Sequence, residues 1–338
     1  MISFNVKTSI LTGKDKMLVF ILKRILYIIP VMLGVLVLVF LMQVVMPGDP
    51  VMELLPSTAT QAEVDALRDR LGLNDPIIVQ FGNYVWRLVT RGDLGVSYRT
   101  GQPVMDELMQ RFPITIFLGV ISLLISQIIA NPLGLLAAAK QYTWVDNAII
   151  LFTIIGASVP GFWLALMMIR QFSVEFRWLP AFYNGTLASM VMPIIASSFT
   201  SISATARGVR TSMLEMIRQD YVRTARAKGQ KEVIVIANHA FRNALIPVVT
   251  GIGGALGMLL GGTLIVETIF SIPGVGKYVA DAVTQRNFPA VQGGIVILSF
   301  AFIIINILVD ITYTIIDPRM KTTFITQRKR KSPGMGRV

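Results

Sequence analysis

The 338-residue chain has no cysteine and a single histidine, His239. A disulfide framework, a thiolate metal site and a cysteine nucleophile are therefore excluded, and one histidine is too few for a histidine-based metal site. It also lacks the GxxxxGK[ST] string of a phosphate loop. Pro273-Gly274-Val275-Gly276-Lys277 has the wrong spacing and runs on into Tyr278. No Ser-His-Asp or Cys-His set is present, which disfavours a hydrolase. No internal repeat is evident, which weighs against a carrier built from inverted repeats. Charge is missing from six long stretches: Ile25–Met46, Ile114–Ala139, Asn147–Ile169, Gly185–Ala206, Asn243–Val266 and Val291–Val309. Each is long enough to cross a hydrocarbon core of about 30 Å as a helix.

What is present agrees. Apolar residues make up 54% of the chain and mean hydropathy is +0.65, whereas soluble domains sit nearer 45–50% apolar. The composition predicts an all-α polytopic membrane protein with six transmembrane helices. The fourth stretch is rich in Ser and Thr and suits a helix packed inside a bundle. The run after Lys23-Arg24 is too long for a signal peptide and no small-residue cleavage site follows, so it is read as a retained first span.

Net charge is +12 and the isoelectric point about 10.1. The distribution matters more than the total. With the N-terminus placed in the cytosol, 21 of the 31 Lys and Arg fall on inner segments, while 12 of the 19 acids fall on outer ones. This is the positive-inside bias. It predicts both termini in the cytoplasm and accounts for the basic chain without nucleic acid. The implied division is a cytoplasmic segment 1–24, a six-span body 25–316 with an outer loop 47–113 and a cytoplasmic loop 207–242, and a basic tail 317–338. Arg328-Lys329-Arg330-Lys331 in that tail suits anionic lipid headgroups.

The long outer loop is patterned. Gly48-Asp49-Pro50 marks a turn. Ala62 to Leu71 has helical apolar spacing and ends at Gly72; Ile77 to Val89 forms a second such helix, closed by Gly92. The inner loop is patterned too. Tyr221 to Lys228 reads as a short amphipathic helix broken by Gly229, where positive φ is needed. A second helix follows, with Val233, Ile236, Ala237, Ala240 and Phe241 as its apolar face.

Within the spans, Gly253, Gly257 and Gly261 recur every four residues and permit close helix approach, within one subunit or across a dimer. Asn131-Pro132 and Pro160 are expected to kink the second and third spans, either lining a pathway or packing. Glu267, Asp281 and Arg286 are placed near the outer mouth, facing an incoming solute. Asp310 is an intramembrane acid, read as a bonded structural group. The rival reading makes it the titrating group of an ion-coupled secondary carrier.

The string Tyr221-Val222-Arg223-Thr224-Ala225-Arg226-Ala227-Lys228-Gly229 resembles the EAA loop of binding-protein-dependent ABC importer permeases, in the form used by the peptide and nickel branch. Pro47-Gly48-Asp49-Pro50, Leu71-Gly72-Leu73, Gly92-Asp93-Leu94-Gly95 and Glu267-Thr268-Ile269-Phe270-Ser271-Ile272-Pro273-Gly274-Val275-Gly276 are similar to the same branch. Arg223-Thr224-Ala225 stands where the broad pattern has Glu-Ala-Ala. The resemblance implies a type I (MetI-like) permease architecture, a second homologous permease, two cytosolic ATP-binding subunits and an extracytoplasmic substrate-binding protein. It implies no cofactor on this chain, since ATP and Mg would bind the ATPases. Tyr221, Arg223, Thr224, Ala225, Arg226, Ala227 and Gly229 become the ATPase-coupling residues, with Ala225 and Ala227 allowing close approach. The outer loop becomes a cap over the mouth, a surface for the binding protein, or both. The implied solutes are dipeptides or oligopeptides, with nickel, metal chelates or glutathione as other possibilities.

Overall fold

The computed structural model describes residues 13–45, 51, 55, 58–241, 243–244, 257, 261 and 263–316. The first helix, α1 (Gly13–Val45), begins twelve residues before the expected boundary at Ile25. Its apolar, membrane-length part is Leu26–Val44. Lys14, Lys16, Lys23 and Arg24 thus extend the same helix beyond the apolar stretch.

The loop helices form as their caps dictate. In α2 (Gln61–Leu71) the Glu63 carboxylate accepts from the Thr60 backbone N–H at 2.8 Å, and the Thr60 hydroxyl accepts from the Glu63 N–H at 3.4 Å. This reciprocal pair satisfies two donors that a bare helix start leaves open. Gly72 ends α2 at φ +68°, and Gly92 ends α3 (Ile77–Arg91) at φ +62°. Both sit in the left-handed region where a Cβ is penalised.

α4 (Val104–Ala139) and α7 (Ala188–Ile217) share the most extensive contact among the described elements. Ser122, Ser126, Ala130, Gly134 and Ala138 recur every fourth residue on α4 and are all buried. They meet Ser198, Ile202, Ala206, Val209 and Met213 of α7. A Cβ on Gly134 would lie 2.6 Å from the Ala206 carbonyl oxygen, so the two backbones nearly touch. Ser198 Oγ donates to the Ser122 carbonyl at 3.0 Å, and Ser201 Oγ lies 3.2 Å from Ser126 Oγ. Small residues allow this approach, and hydroxyls bonded to backbone carbonyls avoid stranded polar groups in hydrocarbon. α7 is more buried inside the protein than the other membrane-length helices, as its Ser-rich composition predicts.

The third span is not one rod. α5 (Trp144–Ser158) ends before Pro160, which opens α6 (Gly161–Met168) after a bend of 96°. Proline offers no N–H and pushes Val159 into an extended conformation, at φ −79° and ψ 119°. The expected kink at Pro160 is therefore a full break within the third span. α6 continues into a π-helical segment, Ile169–Glu175. α11 (Phe288–Ile316) supplies the last span. Among the described residues four helices are long and apolar enough to cross a membrane, or five if the bent pair is counted as one span. The remaining expected span, Asn243–Val266, falls mostly outside the described residues.

Connectivity sorts the rest into two ends. α2, α3 and α10 (Val275–Thr284) gather at one, here the loop end. α8 (Asp220–Ala227) lies at the other, the elbow end.

Candidate coupling site

α8 follows α7 directly and is held against the bundle by two side chains. Val222 is fully buried and Ala225 nearly so, packing with Ala138, Val209, Met213, Val235 and Ala240. The opposite face is open: Tyr221, Arg223, Thr224, Arg226 and Ala227 are exposed. Ala225 thus faces its own bundle. The expectation that it allows close approach of a partner is corrected, and Ala227 alone of the two alanines is outward. Gly229 follows at φ +77° with nothing within 4 Å of where a Cβ would stand.

Two contacts brace the elbow. Arg226 donates to both carboxylate oxygens of Glu232, Nε to Oε2 at 3.1 Å and Nη2 to Oε1 at 2.6 Å. This bidentate pair spans Gly229. Its hydrogen bonds hold the Glu232 carboxyl below the usual carboxylate range, against a smaller opposing effect of burial. A depressed acid contributes stability at neutral pH and loses it only as pH falls through the depressed value. Asn243 Nδ2 donates to the Tyr221 hydroxyl at 3.3 Å, tying α8 to the start of the next segment.

The second helix of the elbow keeps most of its expected face: Ile236, Ala240 and Phe241 pack against the core formed with α7 and α8, but Val233 does not. A short α-helical turn, α9 (Glu232–Ile234), becomes π-helical over Val235–Phe241. Val233 is 78% exposed while Val235 and Ala240 are fully buried. Those two are five residues apart, the repeat of i→i+5 bonding, so Val235 joins the packed face and Val233 falls off it. The side chains of Ala237 and His239 lie outside the described residues.

Sequence reasoning missed the clamp above this elbow. Asp146, only 1% exposed, accepts two hydrogen bonds from Arg210 at 2.7 and 2.8 Å and one from the Tyr142 N–H at 3.0 Å. Arg207 Nη1 donates to the Thr153 carbonyl at 2.7 Å. Together they fasten α5 to the α7 segment that leads into α8. The signal was an acid at the head of an apolar run, seven residues after Ala139, with two arginines late in the next span.

At the loop end, Glu267 does not face an open mouth. It is fully buried, and its carboxylate accepts from the Lys277 N–H at 2.9 Å. Thr115 Oγ1 accepts from the Val275 N–H at 2.8 Å beside it. A Cβ on Gly274 would collide with the Glu267 carboxylate, and one on Gly276 would lie 2.8 Å from its Oε2 and 2.6 Å from Leu264 Cα. The Pro273–Lys277 turn therefore wraps a carboxylate, and its glycines are there for space. Asp281 is half exposed and pairs with Lys277 Nζ at 2.6 Å. Arg286 sits at φ +54° after α10.

Asn131 Nδ2 donates to the Gln127 carbonyl at 2.8 Å, while its buried Oδ1 has no partner among the described residues. Pro160 is exposed at the helix break. Hydrogen bonds among the described residues do not gather Asn131, Glu267 and Asp281 into one site: each bonds within its own neighbourhood. Gly257 packs onto the Phe302 ring of α11, within this chain. Gly261 is exposed, with nothing among the described residues within 4 Å of where a Cβ would stand, and Gly253 lies outside the described residues. Asp310 is on α11, but its side chain is not described. Among the described residues no three His, Cys, Asp or Glu side chains gather as a metal would need.

A bundle of apolar, membrane-length helices with a short exposed helix and glycine elbow at one end fits a polytopic membrane protein. The family described as binding-protein-dependent transport system inner membrane component matches residues 130–322, and its N-terminal counterpart matches 17–119. The chain belongs to this family and is an inner-membrane permease of the ABC importer class. A putative peptide transport system permease protein of Brucella abortus is 40% identical over 309 residues, covering 89% of this chain and 98% of the relative. The dipeptide transport system permease protein DppB of Alkalihalophilus pseudofirmus is 38% identical over 333 residues, covering 90% and 100%. The glutathione transport system permease protein GsiC of Escherichia coli is 37% identical over 305 residues, covering 90% and 99%. An inward-facing structure of the MetNI methionine ABC transporter shares the fold at a TM-score of 0.53 and 17% identity, covering 63% of this chain and 97% of that one. The family decides against the stand-alone ion-coupled carrier.

Proposed function

We propose that this chain forms half of the translocation pathway of an importer for dipeptides or oligopeptides. The names of the relatives in the Brucella and Alkalihalophilus species favour peptides; GsiC keeps glutathione as a related solute. In this reading a second homologous permease completes the pathway. Two cytosolic ATPases bind ATP and Mg, and an extracytoplasmic protein delivers the solute. The elbow end faces the cytoplasm, consistent with the basic loop 207–242.

The observation that carries the proposal is α8: anchored inward by Val222 and Ala225, exposed through Arg223, Thr224 and Ala227, and ended by a left-handed glycine. The inward anchor lets a push on the exposed face reach α7. Tyr221 and the Arg226–Glu232 pair keep the helix at a set angle. ATP-driven closure of the ATPases would draw two such elbows together and turn the pathway outward, and hydrolysis would reset it. The test is site-specific cross-linking in the assembled transporter. A cysteine at Ala227 should cross-link to an ATPase subunit, whereas one at Ala225 should not. Equal cross-linking at both, or none at Ala227 in an active complex, overturns the assignment.

A further inference from the structure

We infer that α3 is an interfacial membrane helix, lying in the lipid headgroup–acyl boundary at the loop end with one face immersed in lipid. Its residues divide into three sectors. Phe81, Tyr84, Val85 and Leu88 turn toward the protein, packing with Leu36 and Phe40 of α1. The rings of Phe40 and Phe81 meet at 5.3 Å, and those of Phe40 and Tyr84 at 6.3 Å. Asn83, Arg87 and Thr90 recur at helical intervals on a second, polar sector. Ile78, Gly82, Trp86 and Val89 share the third sector at intervals of four, four and three. That third sector is apolar and open: Ile78 is 83% exposed, Trp86 67% and Val89 74%.

The neighbour of α3 identifies what covers this sector. Phe40 lies inside the membrane-length segment Leu26–Val44. It stands four residues before Val44, the end of that segment, about 6 Å along the helix at 1.5 Å per residue. A helix packed on Phe40 is therefore held at the depth of an interfacial amphipathic helix, about 5–10 Å into the boundary. Leu38, Leu41 and Met42 of α1 are exposed at the same level. Water at this depth would leave Ile78, Trp86 and Val89 solvated beside lipid. Lipid covers them and leaves Asn83 and Arg87 at the headgroups, with the Trp86 ring where interfacial tryptophans gather. The 47–113 loop thereby gains a fixed height and tilt relative to the bilayer.

The absence of native cysteine makes the test direct. Single cysteines replace Ile78, Trp86 or Val89 on the third sector, and Asn83 or Arg87 on the second. They carry nitroxide labels in the assembled transporter, with the other subunits cysteine-free, in phosphatidylcholine–phosphatidylglycerol vesicles. Power saturation then compares collisions with oxygen, which partitions into lipid, and with a water-soluble nickel chelate. Oxygen should dominate at positions 78, 86 and 89, and the chelate at 83 and 87. Chelate dominance at all five places the helix in water and overturns the proposal. Low access to both reagents at 78, 86 and 89 means a protein covers the face and overturns it too. If that protection appears only when the soluble binding protein is added, the binding protein is the occupant. Three independent positions keep the test meaningful if one variant fails to fold.

Discussion

Substituting Gly229 isolates the elbow's conformation from its packing. At φ +77°, with nothing within 4 Å of a Cβ, any side chain fits and only the backbone resists. An L-residue in the left-handed region costs roughly 1–2 kcal/mol. Asn suffers least, because it visits that region several-fold more often than most residues; a β-branched residue suffers most. The expected local costs are below about 1 kcal/mol for Gly229→Asn, about 1 for Gly229→Ala and about 2 or more for Gly229→Val. One to two kcal/mol shifts a two-state population roughly 5- to 30-fold. Buried Val222 and Ala225 and the Arg226–Glu232 pair resist the change in part, so each effect should be an upper bound. The assay is ATP hydrolysis by the reconstituted transporter, with and without loaded binding protein. Stimulation should fall in the order Gly, Asn, Ala, Val, with Val losing most of it, while assembly and basal hydrolysis persist. A fully stimulated Gly229→Val transporter refutes the reasoning. So would an Ala variant worse than Val, since that order cannot come from backbone strain.

Breaking the Asp146–Arg210 clamp should destabilise by about 3 kcal/mol, the low end for a buried pair because Arg210 keeps 21% exposure. Asp146→Leu combined with Arg210→Met should recover most of the loss in heating assays of detergent-purified protein; additive losses would mean the pair is not a unit. Gly257→Ala drives a Cβ into the Phe302 ring, an overpacking cost of about 1–3 kcal/mol. Phe302→Ala should rescue it, and Gly261→Ala should be neutral in the same heating assay; a harmful Gly261→Ala would place that residue at a contact that the described residues do not make.

The capped and punctuated segments were the legible ones. Gly72, Gly92 and Gly229 each set a left-handed backbone state that short-range rules predict, and the helices end there. Burial was less legible. Glu267 reads as a surface acid near a mouth, but the turn it organises comes from residues seven to ten positions later, where Gly274 and Gly276 look like flexibility rather than space. Ala225 and Ala227 are equivalent in composition and differ only in which side of α8 meets Met213 and Val235. On the second elbow helix Ile236, Ala240 and Phe241 pack as their spacing predicts, while the π-helical segment turns Val235 inward and Val233 stays outside. Asp146 and Arg210 are sixty-four positions apart, so their pairing follows only from the packing of α5 on α7.

The seam between α4 and α7 has a mechanical consequence. Backbones separated by hydrogen-bonded serines and a glycine with no spare volume resist shear, because a close-packed interior deforms little. α7 is thirty residues long, about 45 Å. α8 is bonded to its far end through the Gln219 turn and buried side chains. A tilt of this unit by about 5° sweeps its far end through about 4 Å over that length. The seam acts as a splint and α7 as a lever arm, so ångström-scale travel at the elbow is geared down to a small angular change along the bundle.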